Sequence, residues 1–442
     1  MGVFKFSSVD LILVCVGLVF LLLDIGLDMF AVVSFYQEKS YVSLCILVLL
    51  LLGSSSLVQA FSLLWYSYED FKRQTKVENC LSRSQLKLLH MFQLGIYFRH
   101  AGVVEMSACS IYSKINDHEG LAVYLSHDLS MLRLIETFSE SAPQLVLMLT
   151  LILQRGQLDH VTVLKALGSA SAIAFSVTMY HRSLRSFLPD KAKQQMISSM
   201  VYFLWNLFLI SSRLTALALF ASVLPCFIFT HFFCSWLVLF FFVWRSKTDF
   251  MDSSGGEWLY RATVGLIWYF DWLNVVTGKT RYRTLLYHGY MLADISLLCS
   301  LWCWMIITEP PFFEIPLLYA VIAAVIVVAV YILGLLFKMI YYKCYHPNLA
   351  KEELKGDATE RSQVVGQGPT RMKTFPGDEV DFSISSFRDE DVDDSYVSIP
   401  QSMNQIDDSD GGLTDRSGPS PAALSIKRCN KRMRGLAENF YS

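Results

Sequence analysis

The chain is poor in charge. Asp, Glu, Lys and Arg make up 17% of its 442 residues, whereas hydrophobic residues reach 53%. A soluble domain carries about 25% charged residues. A chain so short of charge cannot hide its apolar surface inside a water-soluble globule. Other absences narrow the chemistry. No GxSxG, HExxH or CxxC occurs, so the common serine-hydrolase, zinc-protease and dithiol motifs are missing. Thr277-Gly278-Lys279-Thr280 ends like a phosphate-binding loop, but Leu273 stands where that loop needs its first glycine. The ten cysteines have no metal-type spacing. Cys299 and Cys303 read as packing within an apolar helix, and Cys344 is a candidate for palmitoylation. No Asn-x-Ser/Thr sequon is present, so no N-glycan is expected. No cleavable signal peptide is expected either, because the first apolar run passes residue 30 and carries Asp24 and Asp28. Nothing points to an enzyme, a cofactor or a metal site.

Long apolar runs are abundant. Ten segments stand out, at roughly 10–34, 41–66, 88–112, 128–153, 162–180, 197–220, 225–244, 258–276, 285–307 and 316–342. Each is long enough to reach across about 30 Å of hydrocarbon. The expected fold is an all-α polytopic membrane protein. Lys- and Arg-rich stretches orient such chains toward the cytoplasm. Lys72 to Arg83, Arg182 to Lys193, Arg245 to Lys247, Lys279 to Arg283 and Lys338 to Lys343 all ask for that side. Ten full spans cannot satisfy them, because an odd number of segments separates stretches that want the same side. The simplest repair is one re-entrant segment in each half. Segment 258–276, with Arg261 and Asp271, takes that role in the second half. Segment 88–112, with Arg99, His100 and Glu105, takes it in the first. Segment 128–153 competes with it, since Pro143 interrupts it.

The expected architecture is therefore eight transmembrane helices plus two re-entrant segments, in two parallel halves spanning 1–190 and 191–346. Both termini are expected to be cytoplasmic. Residues 347–429 are rich in Asp, Ser, Gly and Pro and read as a disordered cytoplasmic tail. A basic patch, Lys427 to Arg434, precedes a short amphipathic helix over 430–442, with Met433, Leu436, Ala437 and Phe440 on one face. Within the tail, Asp378-Glu379-Val380-Asp381 matches the tetrapeptide that executioner caspases favour, with bulky Phe382 after the cut. Glu390-Asp391-Val392-Asp393 is a second acidic stretch of the same kind.

Charges recur where charges are costly. A central Asp or Arg costs about 2.5 to 3.5 kcal/mol on insertion scales. Asp24 and Asp28 lie one turn apart, as do Glu136 and Glu140, so each pair shares a helix face. Arg213, Asp271 and Asp294 lie within later segments, and Arg133, Arg182 and Arg185 lie near segment ends. Such residues either clasp segments together as ion pairs or line a hydrophilic track for an anionic or zwitterionic molecule. His231 reads as a hydrogen-bonded interior histidine, and Trp205, Trp236 and Trp268 as packing or interface anchors.

Several stretches resemble the XK-related family: Asp128 to Leu147 (DLSMLRLIETFSESAPQLVL), Met179 to Lys191, Val201 to Phe220, Thr248 to Val275, the opening LLLDIGLDMF and the closing Tyr341 to Asn348. The resemblance covers nearly all of residues 1–350. It is strongest to the branch of caspase-activated, plasma-membrane phospholipid scramblases. It implies ATP-independent movement of phosphatidylserine between leaflets once an executioner caspase cuts the tail. It also implies exposure of that lipid on apoptotic cells as an engulfment mark. By similarity, Asp24, Asp28, Glu136, Glu140, Arg213 and Asp294 match membrane-embedded charges of the family. Met179 stands where relatives carry an acidic residue, which removes a partner expected for Arg182. The resemblance further implies an inhibitory C-terminal helix and pairing with a single-span glycoprotein such as basigin or neuroplastin. Two other classes stay open on the residues alone. One is a solute transporter or channel using the acidic pairs, and the other is a structural partner of another membrane protein.

Overall fold

A computed structural model describes residues 8–345, apart from 70, 72–73, 114–115, 157–159, 187–193, 247, 249, 276–280 and 309–315. The expected tail, the caspase site at Asp378 to Phe382 and the helix carrying Met433, Leu436 and Phe440 lie outside the described residues. The described residues are helical, with no strand among them. The helices are α1 (Ser8–Gln37), α2 (Tyr41–Tyr68), α3 (Lys76–Asn79), α4 (Arg83–Met91), α5 (Gly95–Ser113), α6 (Asn116–Glu136), α7 (Ala142–Arg155), α8 (His160–Ser186), α9 (Met196–Val223), α10 (Phe227–Arg245), α11 (Ser254–Phe270), α12 (Arg281–Thr308) and α13 (Leu317–Ile340). Seven of them, α1, α2, α8, α9, α10, α12 and α13, are long and apolar enough to cross a membrane.

α6 and α7 form one helical run joined by a π-helical turn, Thr137–Ser141. Pro143 explains the turn. It lacks an N–H, and its ring would crowd the carbonyl four residues back in a regular helix. The widened turn absorbs this defect: the Ala142 N–H bonds the Thr137 carbonyl, five residues back. The chain therefore stays helical through the proline rather than turning back at it. At 1.5 Å per residue the run from 116 to 155 is about 60 Å long, ample to cross a bilayer. Its charges keep it outside the seven apolar helices.

The segment read as 88–112 is a helical hairpin, α4 and α5. The Ser82 hydroxyl and the Gln85 side chain cap α4 reciprocally. Its tip lies beside the middle of α2, where the Gln93 amide donates to Ser56 Oγ at 3.3 Å. Its base returns toward the end of α2, where Glu105 accepts from the Val77 N–H at 3.0 Å. His90 locks the hairpin. Its Nδ1 meets the Leu86 carbonyl at 2.8 Å and its Nε2 meets Ser62 Oγ at 2.9 Å. A carbonyl only accepts, so Nδ1 carries the hydrogen and Ser62 donates to Nε2. A Cβ on Gly95 would fall 2.4 Å from that ring, which is why the return helix α5 begins on glycine.

The second hairpin-like segment, read as 258–276, is α11 followed by an extended return, 271–275. α11 begins on the Ser253 cap, whose hydroxyl accepts from the Gly256 N–H at 3.1 Å. It runs back along α10, with Trp236 donating to the Ala262 carbonyl at 3.0 Å. Trp268 then holds the extended return through the Leu273 carbonyl at 2.7 Å. Near the start of α12, Arg283 donates to Ser246 at 3.3 Å, at the same end of α10 from which α11 departed.

Of the seven apolar helices α9 is the most enclosed, and it packs against α7, α8, α12 and α13. Its approach to α13 is close because Gly334 faces Leu209, where a Cβ would fall 2.7 Å from Leu209 Cδ2. α1 is the opposite case. Only Leu21, Asp28, Ala31 and Phe35 are buried in it, and apolar residues such as Leu22, Leu27 and Phe30 are exposed. α1 starts beside α8, through Asp10 and Arg182 at 3.2 Å. It ends beside α7, where Arg155 donates to Glu38. Tyr341 and Tyr345 also sit at the Arg182 end of the bundle. Gln194, whose carbonyl accepts from Arg182, reaches Tyr341 at 3.5 Å, and Ser198 donates to the Tyr345 carbonyl at 3.0 Å. The first and last described helices thus begin and finish at one end.

Candidate functional site

The first group of charges lies between α1 and the π turn. α1 brings Asp24 and Asp28 on one face, four residues apart. α6 and the π turn bring Arg133, Glu136 and Glu140. Arg133 donates to Glu136 at 2.7 Å. Gln144, one turn beyond Glu140, donates to Asp28 at 2.7 Å. Ser141 donates to Asp24 at 3.4 Å. The Asp28 and Glu140 carboxyls lie close to each other. Ser54 of α2 and Ser139 of the π turn, 2.8 Å apart, border the group. Asp28 and Glu140 are buried, whereas Asp24, Arg133 and Glu136 are half-buried. Four carboxyls thus gather around one guanidinium. This is too many for a single clasp, which needs one of each sign.

Arg213 and Asp294 form a second, separate group. Arg213 of α9 donates to Asp294 of α12 at 2.5 Å and to the Tyr269 carbonyl at 3.1 Å. His231 of α10 bridges Asp294 at 3.1 Å and the Tyr269 hydroxyl at 3.0 Å. The Arg213 guanidinium also sits 4.9 Å from the Tyr269 ring centroid. The pair ties four helices, α9 to α12, at one point. Its charges are matched, which is the arrangement of a clasp. The two groups lie back to back through Phe138 of the π turn and Phe270 of α11, whose rings stack 6.1 Å apart.

Of the six charges singled out in the sequence, the structure thus brings four together and pairs the other two elsewhere. Further charges complete the interior. Arg99 of α5 pairs with Asp128 of α6 at 3.1 Å, both deeply buried, and lies 4.3 Å from the Tyr66 ring. Tyr66 in turn donates to Glu78. Lys338 of α13 meets His288 at 2.6 Å, and His288 meets Tyr331 at 3.0 Å. Asp271 accepts from the Trp272 N–H at 2.8 Å, at the start of the extended return. Arg261 bonds the Thr248 carbonyl at 2.7 Å and lies by Glu257 at 3.3 Å. Arg182 pairs with Asp10 of α1 at 3.2 Å. Sequence reasoning passed over Gln144, although its spacing from Glu140 is one helical turn. It also passed over the polar face of α2, Ser54 to Ser62, which lies inside an apolar run. Among the described residues no His, Cys, Asp and Glu cluster is arranged to hold a metal ion.

Residues 12–347 match the XK-related protein family. The chain is 44% identical over 354 residues to XK-related protein 8 of Tetraodon nigroviridis, covering 79% of this chain and 86% of that one. It is 39% identical over 446 residues to XK-related protein 8 of Gasterosteus aculeatus, covering 99% and 98%. To XK-related protein 8 of Pan troglodytes it is 36% identical over 347 residues, covering 77% and 84%. With helices, hairpins and charges in a multi-pass bundle, and with a family match over most of its length, the chain belongs to the XK-related family.

Proposed function

We propose that this chain is a caspase-activated, ATP-independent phospholipid scramblase that exposes phosphatidylserine on apoptotic cells. The observation that carries the reading is the surplus of carboxyls around Arg133, set beside the thinly packed helix α1. Scrambling breaks no covalent bond. Its barrier is the cost of taking a polar headgroup through hydrocarbon. A seam of Asp24, Asp28, Glu136 and Glu140 beside lipid-facing α1 lowers that cost for the headgroup while the acyl chains stay in lipid. The choline or serine ammonium meets the carboxyls, and Arg133 meets the phosphate. In this reading Arg213 and Asp294 brace the second half rather than touch lipid.

The membrane arrangement goes with the reading. The run from 116 to 155 is the eighth span, beside the seven apolar helices. The α4–α5 hairpin and α11 with its return are the two re-entrant segments, entering and leaving on the cytoplasmic side of the plasma membrane. Backbone that turns within a bilayer needs protein around it, and the bonds of Gln93 and Trp268 supply such cover. Both termini are cytoplasmic. An executioner caspase cuts after Asp381, and the tail helix around Met433, Leu436 and Phe440 holds the uncut protein shut. Loss of the tether removes the helix's high local concentration. A basigin- or neuroplastin-like single-span glycoprotein accompanies the chain.

The test is to express the wild type and Asp381→Ala in cells, induce apoptosis and follow surface phosphatidylserine. Exposure is expected in the first and not the second. A dithionite assay on reconstituted, cut protein then separates this reading from a transporter. Scrambling that survives replacement of Asp24, Asp28 and Glu140 by Leu would remove the seam from the mechanism.

A further inference from the structure

The charges between α1 and the π turn are mostly of one sign, and that sign has a consequence for what can pass them. Asp24, Asp28, Glu136 and Glu140 gather around one guanidinium, Arg133, which already donates to Glu136 at 2.7 Å. Two of the four carboxyls can carry a proton and the group still holds more negative than positive charge. Neighbouring cations bring no relief. Arg99 is taken by Asp128 at 3.1 Å, and Arg182 by Asp10 at 3.2 Å. Even a protonated His100, close by on α5, would leave four ionised carboxylates in the majority. Tyr97, also close by and exposed, adds an aromatic face and no positive charge. The hydroxyls of Ser54, Ser139 and Ser141 and the Gln144 amide complete the border, and that amide already donates to Asp28 at 2.7 Å. Asp24 and Asp28 lie near the middle of α1. Charges so far from water act through a low dielectric and are weakly screened by salt.

We propose that this group selects headgroups by net charge, passing zwitterionic choline and ethanolamine headgroups faster than the anionic serine headgroup. The inference rests on the scramblase function proposed above and names the cargo that its path favours. All three headgroups carry one phosphate and one ammonium. Arg133 takes the phosphate, and the carboxyls take the ammonium. Serine alone brings a further carboxylate, for which this group holds no second guanidinium or ammonium. Ionised carboxyls only accept hydrogen bonds, so they repel that carboxylate and cannot bond it. Choline and ethanolamine differ in hydrogen-bonding capacity and not in net charge, so selection by charge treats them alike. Phosphatidylserine is then the slow cargo of its own path, and its arrival outside is limited by passage through this group.

The test uses the full chain reconstituted in phosphatidylcholine vesicles, cut by an executioner caspase and read with dithionite. Trace lipids with one fluorescent acyl chain and a choline, ethanolamine or serine headgroup are compared in the same vesicles. The first two should move at equal rates, and the serine lipid on the order of fivefold more slowly. Glu140→Gln removes a carboxyl, and Gln144→Lys adds a cation beside Asp28. Each should narrow the gap between the choline and serine lipids, whatever it does to the rates in common. A role confined to holding helices together would slow all three lipids alike. Equal rates for choline and serine in the wild type, or a gap unchanged in both variants, would overturn the selection and leave the scramblase function standing. An ethanolamine lipid running ahead of choline would overturn it too, by assigning the choice to hydrogen bonding. Cut protein that moves none of the three lipids would overturn the function and the selection together.

Discussion

At the residue scale, the charges of this protein divide by stoichiometry. Arg213 and Asp294 balance, and their remaining bonds go to the Tyr269 carbonyl and to His231. Breaking such a pair from one side leaves a buried charge without a partner, at a cost of about 3 to 5 kcal/mol. Arg213→Met should therefore unfold the protein at a markedly lower temperature, measured by thermal melting in detergent. Adding Asp294→Leu should recover part of the loss, because the uncompensated carboxylate is then gone. Arg213→Lys should fall between, since one ammonium cannot hold Asp294 and the Tyr269 carbonyl with the geometry of a planar guanidinium. A melting temperature unchanged in Arg213→Met would end the view of this pair as a clasp. The group around Arg133 is of the other kind, with a surplus of carboxyls that no clasp requires.

At the element scale, two irregularities organise the bundle. Pro143 turns one long helix into α6, a π turn and α7, and places Glu140 and Phe138 in the widened turn, Glu140 by Asp28 and Phe138 against Phe270. The α4–α5 hairpin depends on Gly95. Its neighbour, the His90 ring, is held at both nitrogens and cannot swing aside without losing Ser62 or Leu86. Gly95→Ala should cost about 1 to 3 kcal/mol through overpacking and loosen the hairpin. Faster labelling of a cysteine placed at Phe92 would report it. Labelling at the wild-type rate would mean that the hairpin tolerates the clash. Charge parity in the sequence singled out 88–112 and 258–276, which the structure folds as a helical hairpin and as a helix with an extended return, because Lys and Arg mark sides of a membrane. It did not separate 88–112 into two helices, since the break at Phe92–Leu94 carries no proline and its glycine comes only at residue 95.

At the scale of the whole molecule, the order along the chain is the main feature: a helical bundle, then a polar sequence with the acidic Asp378-Glu379-Val380-Asp381, the basic Lys427 to Arg434 and the final residues to Ser442. If the end of the tail restrains the bundle, removing Asn430 to Ser442 should give partial phosphatidylserine exposure before any caspase acts, read by annexin binding on healthy cells. Cells that stay dark with this truncation, yet light up on the full cut, would move the restraint to the acidic segment between Phe382 and Cys429.

Composition and run length alone determined that this is a multi-pass helical membrane protein, because about 20 apolar residues have no other economical environment. They also made the acidic pairs visible, because residues four apart share a helix face whatever surrounds the helix. What only the tertiary structure decided is which charges meet. Asp24 and Asp28 meet Arg133 and Glu140 across more than a hundred residues of chain, while Arg213 finds Asp294, His231 and Tyr269 on three other helices. Partners across helices depend on rotation and depth within the bundle, which packing sets and periodicity does not. The same holds for Arg182, whose partner Asp10 lies at the far end of the sequence and next to it in space.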